Sequence, residues 1–190
     1  MNKDQILIAA AQIFGNKGFH AASMQDIAEA VNLQKASLYH HVNSKQEILL
    51  ELLDQALDVL TEQVGNAIDG NGSAEVRLKN AVFAYLTTML EHRDLASVLL
   101  LEHRSLEPEL QAKHIPRRDR FEKLWRDLIL EGKTQGIFEC AEPALAARAI
   151  LGTLNWTITW FNPQGALSAA EISENYVELF LHGLHGGTIP

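Results

Sequence analysis

Residues 23–45, S-M-Q-D-I-A-E-A-V-N-L-Q-K-A-S-L-Y-H-H-V-N-S-K, hold the side chains with the clearest chemistry. Gln34, Lys35, Ser37, Tyr39, His40 and His41 are hydrogen-bond donors on one short segment, with Ser23, Gln25 and Lys45 at its flanks. Leu33, Ala36 and Leu38 supply an apolar side that can seat this segment as a helix and leave the donors free. A short helix that follows another across a tight turn, with small and polar donors on its outer face, is what a helix-turn-helix presents to a major groove.

The flanking signals fix where those helices begin and end. Ser23 with Asp26 forms a capping-box start, and Ile27, Ala28 and Val31 give the first short helix one apolar stripe. Asn32 stands where the chain must reverse, and Asn tolerates the left-handed conformation. Before this pair, Ile6, Leu7, Ala10, Ile13 and Phe14 form a helix that G-N-K-G at 15–18 stops. After it, Ser44 with Glu47 opens a long helix burying Ile48, Leu49, Leu52, Leu53, Ala56, Val59 and Leu60, and G-N-G-S at 70–73 reads as a linker. The remainder reads as further helices: 74–92, a shorter one near 94–104, one from Pro108 that Pro116 should interrupt or kink, one from Pro143 to the N-P-Q-G turn at 162–165, and a last one from Ser168 to about His185. With no alternating pattern to suggest strands, the expected class is all-α: a three-helix helix-turn-helix domain over 1–47 and a helical bundle over 48–190.

Composition narrows the functional classes. Hydrophobic residues make up 47% of 190, enough for a full core, and no apolar run reaches the length needed to span a bilayer. Cys140 is the only cysteine, which excludes an internal disulfide; it reads as a buried, inert thiol in a cytoplasmic protein. The net charge of −8 is unevenly placed: Lys3, Lys17, Lys35 and Lys45 balance Asp4, Asp26, Glu29 and Glu47 in the first 50 residues, so the whole excess lies beyond them. A neutral N-terminal module in an acidic chain implies modest non-specific affinity for DNA at physiological salt.

Residues 5–50 resemble the DNA-binding domain of the TetR (tetracycline-repressor-like) family. The resemblance rests on A-A-A-Q-I-F-G-N-K-G-F-H-A-A-S-M-Q-D-I-A followed by S-L-Y-H-H-V-N-S-K-Q-E-I-L. The family's tyrosine, histidine and lysine are matched by Tyr39, His41 and Lys45, while its common turn glycine is replaced by Asn32. The resemblance implies a homodimeric regulator, most simply a repressor, that binds palindromic double-stranded operator DNA through 1–47, carries ligand binding and dimerisation in 48–190, and is released by a small-molecule effector. Tyr39, His41 and Lys45 then suit phosphates, which fix register. Ser23, Gln25, Gln34, Lys35 and Ser37 are placed for base edges, with His40 beside them. His20 reads as a packing or capping residue.

The C-terminal half resembles the branch of that family whose members sense fatty-acyl or steroid-derived acyl-CoA thioesters. Arg117, Arg118, Arg120, Lys123 and Arg126 could hold CoA phosphates, or could pair with the interleaved Asp119, Glu122 and Asp127. Trp125, Trp156, Trp160 and Phe161 offer aromatic walls, Asn155 could orient a carbonyl, and Arg148 completes the candidate ligand set. An aromatic or drug-like ligand is the alternative. The two last helices are apolar around much of their girth, as a two-fold four-helix interface requires. An enzyme finds little support: the Glu-His-Arg triplets at 91–93 and 102–104 are too far apart for one metal, and His182 with His185 lacks a third ligand. No phosphate loop or nucleophile elbow is present, and neither cofactor nor metal is implied.

Overall fold

The computed structural model describes residues 2–183, and among them every regular element is a helix. In chain order these are α1 (Lys3–Lys17), α2 (Met24–Ala30), α3 (Lys35–Leu38), α4 (Lys45–Ile68), α5 (Ala74–Glu91), α6 (Arg93–Leu101), a 3-10 turn at His103–Ser105, α7 (Pro108–Thr134), α8 (Pro143–Trp160) and α9 (Ala169–His182). None of them is long and apolar enough to cross a membrane. The expected end of the last helix near His185, and His185 itself, lie outside the described residues.

The caps read from sequence are formed, with one exception. Ser23 and Ser168 close complete capping boxes with Asp26 and Glu171. At α4 only half a box forms: Ser44 Oγ accepts from the Glu47 N–H at 3.0 Å, whereas the Glu47 carboxylate takes the Asn43 amide instead. Gly18, at φ 79°, ends α1 with its N–H on the Phe14 carbonyl. Pro116 does not interrupt α7. Pro116 and Ala112, whose carbonyl loses its donor, are both exposed, so water can take the place of the missing bond. α7 closes instead at Gly136, which turns through φ 72°, and the Phe138 ring lies where a Cβ on Gly132 would stand.

By packing, the chain divides into two compact units. One holds the residues up to Asp58 together with His92–Asp119; the other holds Val59–Glu91 together with the described residues from Arg120 onward. The expected boundary at 47/48 is therefore not where the packing divides. In the first unit α1 packs on α6 as well as α2, and the stretch from α6 into α7 is bonded to α4. Ile6, Ala10, Phe14, Ile27, Leu38, Ile48, Leu49 and Leu53 fill its core. In the second unit α5 packs on α9 and α8, around Leu78, Val82, Tyr85, Leu86, Trp125, Leu128, Leu154 and Val177. Val59 is half-buried, and Leu57 takes the deeper position on α4. Cys140 is half-buried rather than buried.

Candidate DNA interface and effector site

The first unit builds its outer surface from a turn and an anchor. α2 ends on Asn32 at φ 54°, with the Leu33 N–H reaching back to Ala28 and the Asn32 N–H to Glu29. This pairing satisfies the last carbonyls of α2 and aims the chain into α3. Leu38, fully buried, seats α3. Two residues correspond to about 200° of helical rotation, so Ala36 and His40 stand on the side opposite Leu38. Lys35, Ala36, Tyr39, His40 and His41 are exposed, as is Gln34 at the N-cap, while Ser37 and Leu33 are half-buried. The expectation that Ala36 packs inward is thus corrected: α3 is one turn long and needs only Leu38 and part of Leu33 to hold it.

The remaining expected DNA contacts are already engaged within the fold. Ser23 is exposed, but its hydroxyl donates to Asp26 at 2.8 Å and accepts the Asp26 N–H at 3.1 Å. Asp26 also pairs with Lys17 at 2.9 Å; this bond, then those from Ser23, pull its carboxyl down to about 2. Gln25 gives its amide to Glu29 at 2.7 Å. Lys45 turns inward. Its ammonium donates to the Phe19 carbonyl at 2.8 Å and the Ala22 carbonyl at 2.6 Å, and lies 4.3 Å from the centre of the Phe19 ring. Only its third N–H is left for a phosphate. His20 stacks edge-on with Phe19 and lies 3.2 Å from the Ser105 hydroxyl.

The expected effector residues do not form one cluster. Arg117 pairs with Asp54 at 3.2 Å and with Asp58, Arg118 lies beside Asp119, and Arg148 holds Glu122 at 2.9 Å. Arg120 is exposed. Most of the basic patch is thus occupied by carboxylates. Trp156 and Trp160 are 67% and 47% exposed, so they are not walls of the interior. Trp125 is fully buried in the second unit, edge-on to Tyr85 at 5.9 Å and to Phe121 at 6.5 Å. Asn155 accepts the Tyr85 hydroxyl, and burial pushes that phenol well above its usual range, keeping it a neutral donor. Of the aromatic and amide candidates, Trp125 and Asn155 are brought together around Tyr85, whereas Trp156 and Trp160 leave for the surface.

Comparison with known proteins matches residues 6–52 to the model of bacterial regulatory proteins of the tetR family, and residues 71–184 to the tetracyclin repressor-like C-terminal domain. The chain belongs to the TetR family. Its solved neighbours include the TetR family transcriptional regulator PfmR from Thermus thermophilus, at 39% identity and TM-score 0.87, covering 95% of this chain and 98% of that one. Another is AibR in complex with isovaleryl coenzyme A and operator DNA, at 26% identity and TM-score 0.87, covering 94% and 97%. Among curated relatives, the HTH-type transcriptional repressor KstR2 of Mycobacterium tuberculosis is 27% identical over 96% of this chain and 92% of its own length. Like the rest of the TetR family, the chain is a DNA-binding transcription regulator and not an enzyme.

Two features of this TetR-family chain escape a reading of local motifs. Gln46, next to Lys45, clamps a distant segment: its amide donates to the Ser105 carbonyl at 2.9 Å and accepts the Glu107 N–H at 3.1 Å. His114, 4% exposed, lies 2.9 Å from Asp54, which also holds Arg117. The second had a signal. Asp54 with Asp58 is an i,i+4 pair and His114 with Arg117 an i,i+3 pair, so each places complementary groups on one helix face.

Proposed function

We propose that the chain is a ligand-responsive transcriptional repressor. As a homodimer it binds a palindromic operator, and an acyl-CoA or related acyl ligand releases it. The single observation that carries this reading is its likeness, along nearly the whole chain, to AibR bound to both isovaleryl coenzyme A and operator DNA. Repression is supported by the likeness to KstR2. Residues 1–47 make the DNA contacts in this reading: Lys35, Ala36 and His40 face base edges with Gln34 and Ser37 beside them, and Tyr39 and His41 take phosphates. Residues 48–190 carry the effector and the dimer interface.

Dimerisation is supported by α8. Leu145, Ala149, Gly152, Trp156 and Trp160 recur at intervals of four or three residues, and all five are exposed. An apolar stripe along about four turns is the kind of surface that another protein face covers. A second copy presenting the same stripe completes a two-fold interface and brings two α3 helices to one operator.

The test is a gel shift on duplexes selected by the protein from a random library, with and without acyl-CoA thioesters of five to eighteen carbons. Enrichment of a palindrome and its release by one thioester support the reading. No enrichment removes operator binding. Release by aromatic or drug-like compounds alone replaces the acyl ligand with that alternative.

A further inference from the structure

We propose that the indole N–H of Trp125 donates a hydrogen bond to the carbonyl oxygen of the effector's acyl group, making Trp125 the residue that distinguishes a thioester from a hydrocarbon of equal length. The inference rests on the acyl-ligand reading above. Trp125 is fully buried, and its Nε1 has no partner. An orphan donor of this kind carries its full desolvation penalty with nothing to offset it. The hydroxyl of the neighbouring Tyr85 is settled on Asn155. Arg77 Nε is the other buried orphan among the described residues. Its guanidinium, however, already holds Glu131 and the Ile68 carbonyl through the other nitrogens. Trp125 has a single polar atom and nothing on it.

The chemistry of that atom selects the ligand group. Indole N–H only donates, so its partner must be an acceptor. The rings beside it, Tyr85 and Phe121, stack at 6.0 Å and offer only apolar surface to a neighbour. An anionic carboxylate or phosphate brought against these rings would lose far more hydration than a neutral group. A neutral carbonyl accepts one hydrogen bond at small desolvation cost and brings an alkyl chain that the rings can flank. The thioester carbonyl of an acyl-CoA fits both requirements.

The experiment compares acyl-CoA thioesters with S-alkyl-CoA thioethers of the same chain length, which keep every atom of the ligand except the carbonyl oxygen. Isovaleryl, octanoyl and palmitoyl thioesters and their thioethers are titrated against the full-length protein and against Trp125→Phe. The wild type should prefer the thioester about 5- to 10-fold, the worth of one neutral hydrogen bond, and Trp125→Phe should bind both alike. If the variant does not fold, the 15N-indole resonance of Trp125 in the wild type decides: it should move on adding the thioester and stay with the thioether. Equal binding of thioester and thioether by the wild type, discrimination retained in Trp125→Phe, or an indole resonance indifferent to the thioester would each overturn the assignment. Binding of no thioester at all overturns the acyl reading and this inference with it.

Discussion

The two units place their polar side chains in opposite ways. The first unit turns donors outward on a helix of one turn, held by a single fully buried leucine, and spends its other polar groups locking the turns around it. The second unit draws polar groups inside: the Tyr85 hydroxyl meets Asn155 within the core, and the Trp125 N–H lies there without a partner. A surface that must read a rigid duplex needs fixed geometry and water-exposed donors. An interior that must receive a small apolar molecule needs few polar groups, placed where each one discriminates.

The largest effect tests whether the second unit's outer aromatics belong to its interior or to a partner. If α8 pairs two copies as proposed, Trp156→Glu with Trp160→Glu should weaken self-association by 100-fold or more, each tryptophan being worth about 2 kcal/mol. Sedimentation at graded concentration checks this. Acyl-CoA affinity should persist in the variant. Loss of ligand binding with the dimer intact would return both residues to the effector site.

Next in size is the contrast across α3. Leu38→Ala removes the anchor and should cost about 2–5 kcal/mol in denaturant unfolding, with loss of DNA binding following from loss of structure. Ala36→Glu, on the opposite side, should leave the unfolding midpoint within about 0.5 kcal/mol of wild type and still abolish the gel shift, because its carboxylate would meet phosphates and base edges. If Ala36→Glu binds DNA normally, α3 does not enter the groove by this face.

Two lysines of the first unit then separate support from readout. Lys45→Met keeps the aliphatic stem against Phe19 but strips two carbonyls of their donor, and should destabilise the protein by about 1–3 kcal/mol. Lys35→Met should change stability little and alter the sequence enriched from a random library. A Lys45→Met protein of full stability that binds all duplexes more weakly would make Lys45 a phosphate contact first.

Most of the first unit was legible from sequence because its signals are local. The Ser23 cap, Gly18, Asn32 and most of the apolar intervals act within four residues and stand where the spacing placed them, Ala36 and the half-formed Ser44 box excepted. Lys45 and Gln46 were not legible in the same way, since their partners lie 23 to 61 residues away and nothing in the intervening sequence announces them. The second unit shows the same limit more strongly. Its α5 and α8 were placed to within a residue, yet the face of α8 that turns inward depends on α5, and residue type alone put Trp125, Asn155, Trp156 and Trp160 in one list. In the basic cluster, Arg118 and Lys123 pair with the interleaved Asp119 and Asp127, the alternative the sequence left open, while Arg117 takes Asp54 and Asp58 from α4.

The smallest effect distinguishes the two units' capping boxes. Asp26 and Glu171 both cap helix starts through a serine, and both carboxyls titrate below their ordinary values. For Asp26 the leading cause is the bond from Lys17, followed by those from Ser23; for Glu171 it is the Ser168 backbone N–H, followed by the hydroxyl. A carboxyl lowered from 3.8 to about 2 by folding contributes stability that is complete above pH of about 4 and is lost as pH falls through about 2. The difference in thermal midpoint between wild type and Asp26→Asn should therefore be constant near neutrality, shrink between pH of about 4 and 2, and vanish below. Salt should shrink the Asp26→Asn difference, since Lys17 acts through charge, and should leave a Glu171→Gln difference nearly unchanged. Equal salt sensitivity in the two boxes would mean that Lys17 adds nothing to α2, and that the start of the first unit's helix pair is held by the serine alone.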